Sequence, residues 1–150
     1  VIKLFQPVES LTAKIQTKFT ELRSKFDVIL GVHIRRGDYE NYKEGIYFFE
    51  VDEYKEIIRN MNNQINGNNK VLFYLTSNED IPIDSSSEYQ IFVAKGDFIE
   101  DLYSLANCDY LIGPLSSYST WASYIGNVPI KHISRDNRYP ELQDFKIHYL

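Results

Sequence analysis

The sequence predicts an α/β fold built on a doubly wound parallel sheet. Three observations carry that expectation. Helical and extended segments alternate in the order helix, strand, helix, strand, strand, helix, strand, helix, strand, which yields a parallel sheet joined by right-handed crossovers. The main strand segments, Val28-Ile29-Leu30-Gly31-Val32-His33-Ile34 and Val71-Leu72-Phe73-Tyr74-Leu75-Thr76, are nearly continuous apolar runs, as strands covered on both faces must be. The 150 residues fill one domain of ordinary size rather than two. Residues 1–150 are therefore read as a single Rossmann-like domain.

Each element has its own warrant. After an extended opening ended by Pro7, the residues Val8, Leu11, Ile15, Phe19, Leu22 and Phe26 recur at helical spacing between polar neighbours, predicting a helix over about 10–25. Ser10 or a neighbour is its expected cap. The strand over 28–34 follows, then a polar loop over 35–47 containing Gly37 and Gly45. Val51, Tyr54, Ile57, Ile58, Met61 and Ile65 mark a second helix, stopped by Asn66-Gly67-Asn68-Asn69. Strands are expected over 71–76 and 90–94, with the Ser-rich stretch between them a loop. Phe98, Leu102, Leu105 and Ala106 place a helix over 97–107. A short strand over 110–112 is expected to break at Gly113-Pro114. A helix then opens at Ser116 or Ser117 and runs to Gly126, a last strand covers 129–133, and the tail to Leu150 is polar with scattered aromatics.

Composition narrows the function. Sixteen Lys and Arg against twenty-one Asp and Glu give a net charge of −5, so no basic field draws nucleic acid, and any anion site is local. No segment approaches the ~18 apolar residues of a membrane span. The single cysteine, Cys108, precludes an intrachain disulfide; it is expected to be packed inside, as in a protein of the reducing cytoplasm. The first residue, Val1, is what a processed chain or a piece of a longer one presents. No Gly-x-Gly-x-x-Gly, Walker loop, Asp-x-Asp pair, His/Cys cluster or Gly-x-Ser-x-Gly elbow is present, so no nicotinamide, metal or serine-hydrolase chemistry is expected.

Three segments carry chemistry. Arg35 and Arg36 follow the first strand, where parallel α/β sheets bind ligands. A planar guanidinium holds two phosphate oxygens at once. Gly37 permits close approach, and Asp38 is placed to fix an arginine fork. The alternative is a surface turn with a salt bridge. His33 lies within the strand; such a histidine is more often a satisfied core residue than a ligand contact. Ser116, Ser117 and Tyr118 follow a strand and open a helix, so that backbone N–H groups and hydroxyls face an anion, or simply form an N-cap. Asp101, early in its helix, either favours the helix dipole or accepts two parallel hydrogen bonds from guanine N1–H and N2, a donor pair adenine lacks.

Taken together these segments resemble a known family. His33-Ile34-Arg35-Arg36-Gly37-Asp38-Tyr39 is similar to the His-x-Arg-Arg-x-Asp motif of α-1,2-fucosyltransferases, shared with α-1,6- and protein O-fucosyltransferases. The segments 101–113 and 116–121 resemble the second and third motifs, in the same order, across residues 28–133. The ending Gly37-Asp38-Tyr39 and the continuation Trp121-Ala122-Ser123 lean toward the bacterial α-1,2 group. The resemblance implies the GDP-fucose half of a two-domain GT-B glycosyltransferase, inverting and metal-independent, whose N-terminal acceptor-side domain is missing from this chain. It implies that Arg35 or Arg36 holds the β-phosphate, Asp101 reads guanine, His33 approaches the nucleoside, and Ser116 and Ser117 meet the pyrophosphate, with Arg35, Arg36 and Asp38 as the catalytic candidates. No cofactor is implied beyond the donor substrate, and the partner is a glycan acceptor. Glu40, Glu44 and Asp38 are the carboxylates near enough in sequence to serve as a base. The rival readings are a noncatalytic anion-binding module and a glycosyltransferase for another nucleotide sugar.

Overall fold

The computed structural model describes residues 6–147. The strands are β1 (Val28–Ile34), β2 (Val71–Ser77), β3 (Gln90–Val93), β4 (Tyr110–Pro114) and β5 (Ile130–Ile133), and the helices α1 (Glu9–Arg23), α2 (Val51–Ile65), α3 (Phe98–Leu105) and α4 (Ser117–Gly126). All strand pairs are parallel, in the order β3-β2-β1-β4-β5. The α/β, Rossmann-like fold expected from the alternation is the one observed. The extended opening expected before Pro7 and the last residues of the tail lie outside the described residues.

Alternation along β1 builds two cores. Leu30, Val32 and Ile34 pack with Tyr54, Ile57, Ile58 and Met61 of α2. Ile29 faces the opposite side, with Leu102 and Leu105 of α3, Ala122 of α4 and Ile15 and Phe19 of α1. A sheet buried on both faces needs apolar residues at successive positions, which is why β1 and β2 read as unbroken runs. The helix starts are fixed locally. Glu50 and Glu53 form a capping box at α2, and the Asp97 carboxylate accepts the Ile99 and Glu100 amides at 3.0 and 2.8 Å. Glu100, itself 6% exposed, receives Lys14 and Lys18 of α1 at 2.6 and 2.8 Å and so ties α1 to α3.

Several expected boundaries are corrected. The cap of α1 is Val8 rather than Ser10, and no side chain caps it. The loop after β1 contains two short 3-10 turns, Gly37–Tyr39 and Tyr42–Gly45. Gly113 and Pro114 do not break β4 but continue it, opposite His132 and Ile133 of β5. The tail is not merely polar: Phe145 is buried, and Lys146 forms an antiparallel bridge with Ile130. Cys108 is buried, and burial pushes its thiol far above the ordinary range, as for an inert packing residue. Among the described residues no helix is long and apolar enough to cross a membrane.

The strand order sets the position of the site. From β1 the chain winds out through β2 to β3, then returns by way of α3 to β4 on the other side of β1. The direction of winding reverses there, at the switch point beyond which parallel α/β sheets bind their ligands.

Candidate functional site

A cavity of about 180 Å³ opens beyond the carboxyl ends of β1 and β2. Its walls are His33 and Arg35 from β1 and its exit, Thr76, Ser77 and Asn78 from β2 and its exit, Gly96, Phe98 and Asp101 at the start of α3, and Tyr118 in the first turn of α4. Four elements far apart in sequence thus meet at one place. A wider groove continues from it over the ends of β2 and β3, sharing Ser77, Asn78, Gly96 and Asp101.

Arg35 is the cation of this wall. Its Nε and Nη2 donate to Asp38 Oδ1 and Oδ2 at 3.0 and 2.9 Å, and its guanidinium stacks on Tyr39 with 5.6 Å to the ring centroid. The guanidinium holds the Asp38 carboxyl below its usual range. Asp38 occupies only the Nε side of the fork, so the Nη1 edge remains for an anion. Arg36 points elsewhere. Its Nε donates to Glu79 at 2.6 Å, and its Nη1 donates to Glu50 at 3.0 Å and the Phe49 carbonyl at 3.3 Å. It does not line the cavity.

Asp101 is 8% exposed, and its Oδ1 is buried without a hydrogen-bond partner. Burial pushes its carboxyl up, against the attraction of Lys18 and the Gly96 amide. Gly96 makes the space for it, since a Cβ there would stand 2.7 Å from Oδ1. A buried acceptor held without a donor beside an open cavity is poised for a donor from a ligand. Phe98, 65% exposed, packs on Tyr118 with ring centroids 4.5 Å apart, and Tyr118 donates its hydroxyl proton to the Phe98 carbonyl at 2.8 Å. The two rings, inclined by 44° to each other, give the cavity an aromatic flank.

His33 is 6% exposed; its Nδ1 lies 3.3 Å from Thr76 Oγ1 and its ring 5.0 Å from that of Tyr118. Burial, then the charges of Arg35 and His132, lower its pKa to about 4. The sign of the linkage is clear. Between about pH 6.5 and pH 4 the unfolded chain binds a proton at this residue that the folded chain does not, so stability rises with pH across that window. We expect unfolding free energy to fall by a few kcal/mol from pH 6.5 to 4 on this account, and the slope to flatten in His33→Gln. Urea denaturation at several pH values measures both; an equal slope in the variant would assign the loss to other groups.

Ser116 caps α4, its Oγ accepting the Tyr118 amide at 3.2 Å, and Ser117 stands exposed behind it. Neither lines the cavity. They adjoin the bond in which the Tyr39 hydroxyl donates to the Leu115 carbonyl at 2.7 Å, which ties the loop after β1 to the turn before α4. The structure therefore brings His33, Arg35, Asp101 and Tyr118 around one cavity, sets Asp38 behind Arg35 and the serines beside it, and turns Arg36 away. Thr76, Asn78, Gly96 and Phe98 are wall residues that the sequence did not single out. Only the polar ending of β2, Thr76-Ser77-Asn78, carried a signal for them. Among the described residues no cluster of His, Cys, Asp or Glu is placed to hold a metal ion.

Comparison with known proteins gives three findings. The sequence matches the model of glycosyl transferase family 11 over residues 4–141. No curated protein sequence gives a significant match. Among solved structures, that of the NodZ α-1,6-fucosyltransferase soaked with GDP-fucose superposes with a TM-score of 0.57 at 19% identity, over 86% of this chain and 46% of that one. A mutant of Arabidopsis thaliana FUT1 in complex with GDP superposes with a TM-score of 0.53 at 13% identity, over 94% of this chain and 37% of that one. The chain thus spans less than half the length of either structure, and at these identities the likeness establishes the fold.

Proposed function

We propose, because the chain belongs to glycosyl transferase family 11, that it forms the donor half of a fucosyltransferase and binds GDP-fucose in the cavity between β1, β2, α3 and α4. The single observation that carries this is the pairing of a cation and an unpartnered buried acceptor across one cavity, Arg35 and Asp101 Oδ1. A guanine nucleotide offers the matching groups, a diphosphate at one end and the N1–H and N2 donors at the other. Solved structures of the same fold hold GDP-fucose and GDP, which supports the same class of ligand here.

In this reading each residue has a chemical task. Arg35, oriented by Asp38, meets the diphosphate with its open Nη1 edge and stabilises the charge that develops on the leaving GDP. The amide-rich start of α4, with Ser116 and Ser117, adds donors beside it. Asp101 selects guanine, and the Phe98 and Tyr118 rings flank the base. Stabilisation by a guanidinium and a helix terminus supplies positive charge at the leaving group from the protein itself. The acceptor hydroxyl attacks the anomeric carbon opposite GDP, the bond from that carbon to the diphosphate oxygen breaks, and the hydroxyl proton passes to solvent, with inversion and with an α-1,2 linkage in keeping with the Gly37-Asp38-Tyr39 ending. The acceptor-side domain of the GT-B architecture lies beyond these 150 residues, and a cytoplasmic setting accords with the buried free Cys108.

Calorimetric titration with GDP, GDP-fucose, ADP and UDP tests the reading. Binding of both guanine nucleotides, at least tenfold tighter than ADP or UDP, is the expected result. Equal affinities across the four would leave only a general anion site.

A further inference from the structure

Two residues of the cavity wall each carry a buried polar atom without a partner, Asp101 Oδ1 and His33 Nε2. The first is an acceptor by its chemistry. The second is a donor or an acceptor according to which ring nitrogen holds the proton. Sheet register decides its neighbour: His33 on β1 pairs directly with Thr76 on β2, which puts Nδ1 3.3 Å from the Thr76 hydroxyl oxygen. Both side chains are buried, at 6% and 3% exposure. Among the described residues that contact is the one hydrogen bond of the Thr76 side chain.

The protons then have one consistent arrangement. If Nδ1–H donated to Thr76, the hydroxyl proton would find no acceptor among the described protein groups and the Nε2 lone pair would also stand bare, leaving two groups to be satisfied from the cavity rather than one. If the hydroxyl donates to Nδ1, the threonine is satisfied and only Nε2–H remains without a partner, on a residue of the cavity wall. Burial and the nearby Arg35 and His132 keep the ring neutral at ordinary pH, so one nitrogen alone carries a proton. We infer that Thr76 is a positioning residue that fixes His33 as the Nε2–H tautomer, so that the cavity offers an imidazole donor to an oxygen of its ligand. The wall is thereby chemically directional: Asp101 takes only donors, and His33 gives to an acceptor. This deepens the nucleotide reading and rests on it for the identity of the ligand, though not for the tautomer.

The test uses the 15N-labelled chain, with Thr76→Val, which keeps shape and loses the hydroxyl, and Thr76→Ser, which keeps the hydroxyl. Long-range 1H–15N spectra report the tautomer of His33, assigned by its disappearance in His33→Gln, and calorimetry reports GDP affinity. Wild type and Thr76→Ser are expected to show Nε2–H. Thr76→Val is expected to move protons onto Nδ1 and to weaken GDP by about fivefold, on the order of one neutral hydrogen bond, at an unchanged fold by thermal melting. An Nδ1–H ring in wild type, an unmoved tautomer in Thr76→Val, or equal loss in Thr76→Ser would overturn the inference. If GDP binds to none of the proteins, the nucleotide reading fails, and the ring spectra still decide the role of Thr76.

Discussion

Replacing Arg35 by alanine is expected to weaken GDP binding on the order of a hundredfold, with the melting temperature nearly unchanged. Two charge-assisted hydrogen bonds to a diphosphate are worth roughly 3 kcal/mol where water is partly excluded. The folded state loses little, because the Arg35–Asp38 pair is a half-exposed contact three residues apart in sequence and such pairs contribute about 0–1 kcal/mol. Arg36→Ala should do the reverse. Its side chain is 19% exposed, joined to Glu79 and Glu50, bonded to the Phe49 carbonyl and packed over the Phe48 ring at 5.1 Å. Removing it loses two contacts to exposed carboxylates, the bond to the Phe49 carbonyl and the packing on Phe48, for a loss of about 1–2 kcal/mol of stability, while GDP affinity stays within about threefold of wild type, a change of under ~1 kcal/mol. Calorimetry and thermal melts on the two variants measure the contrast. Equal losses of affinity would mean that Arg36 leaves its carboxylates to join the phosphate.

That contrast was legible in the sequence, through a signal that a reading by residue type passes over. Side chains alternate along a strand. Ile34 faces α2, so Arg36, two residues on, continues toward the Phe49 and Glu50 end of α2, whereas His33 and Arg35 share the other face. Parity separates the two arginines before any coordinates do. The layered architecture was legible for a similar reason, since apolar runs of β1 and β2 and the helical stripe of α2 each repeat at a period that only one element satisfies.

Other features had no local sign. Pro114 reads as a break because it lacks an amide proton, yet at the last position of a strand that loss costs the ladder little, and β4 keeps it opposite Ile133. Phe145 is one aromatic in a polar tail, without a period, and only the completed sheet shows the surface that buries it. The cavity walls at Thr76, Gly96 and Phe98 lie 43 to 65 residues from His33. Apart from the polar ending of β2 at Thr76, nothing in their own neighbourhoods marks them. They converge because the crossovers return α3 over the ends of β1 and β2.

Asp101→Asn is expected to remove the preference for GDP over ADP with little or no loss of stability. In the unliganded chain the carboxylate is at a disadvantage: it is buried, beside buried Glu100, and one oxygen has no donor. Guanine relieves this with two parallel N–H groups, whereas adenine presents no such pair, so the ionised carboxylate favours GDP by about 2–3 kcal/mol. Asparagine keeps the shape and one acceptor but turns an NH2 toward the second guanine donor, replacing an attraction by a clash of donors. GDP should therefore weaken by roughly thirty- to a hundredfold while ADP barely moves. The variant sheds a buried charge that is only partly compensated, by Lys18 and the Gly96 amide, so its melting temperature should hold or rise, which separates lost recognition from lost folding. Acid should imitate the substitution. Burial raises the Asp101 pKa above its ordinary value, and protonation replaces one acceptor by an O–H donor, so GDP selectivity should decline as pH falls through that raised value in wild type and stay flat in Asp101→Asn. Nucleotide titrations of both proteins across acid pH supply the measurement. An unchanged GDP-to-ADP ratio in the variant would confine Asp101 to the start of its helix and leave the base to be read by other groups of the wall.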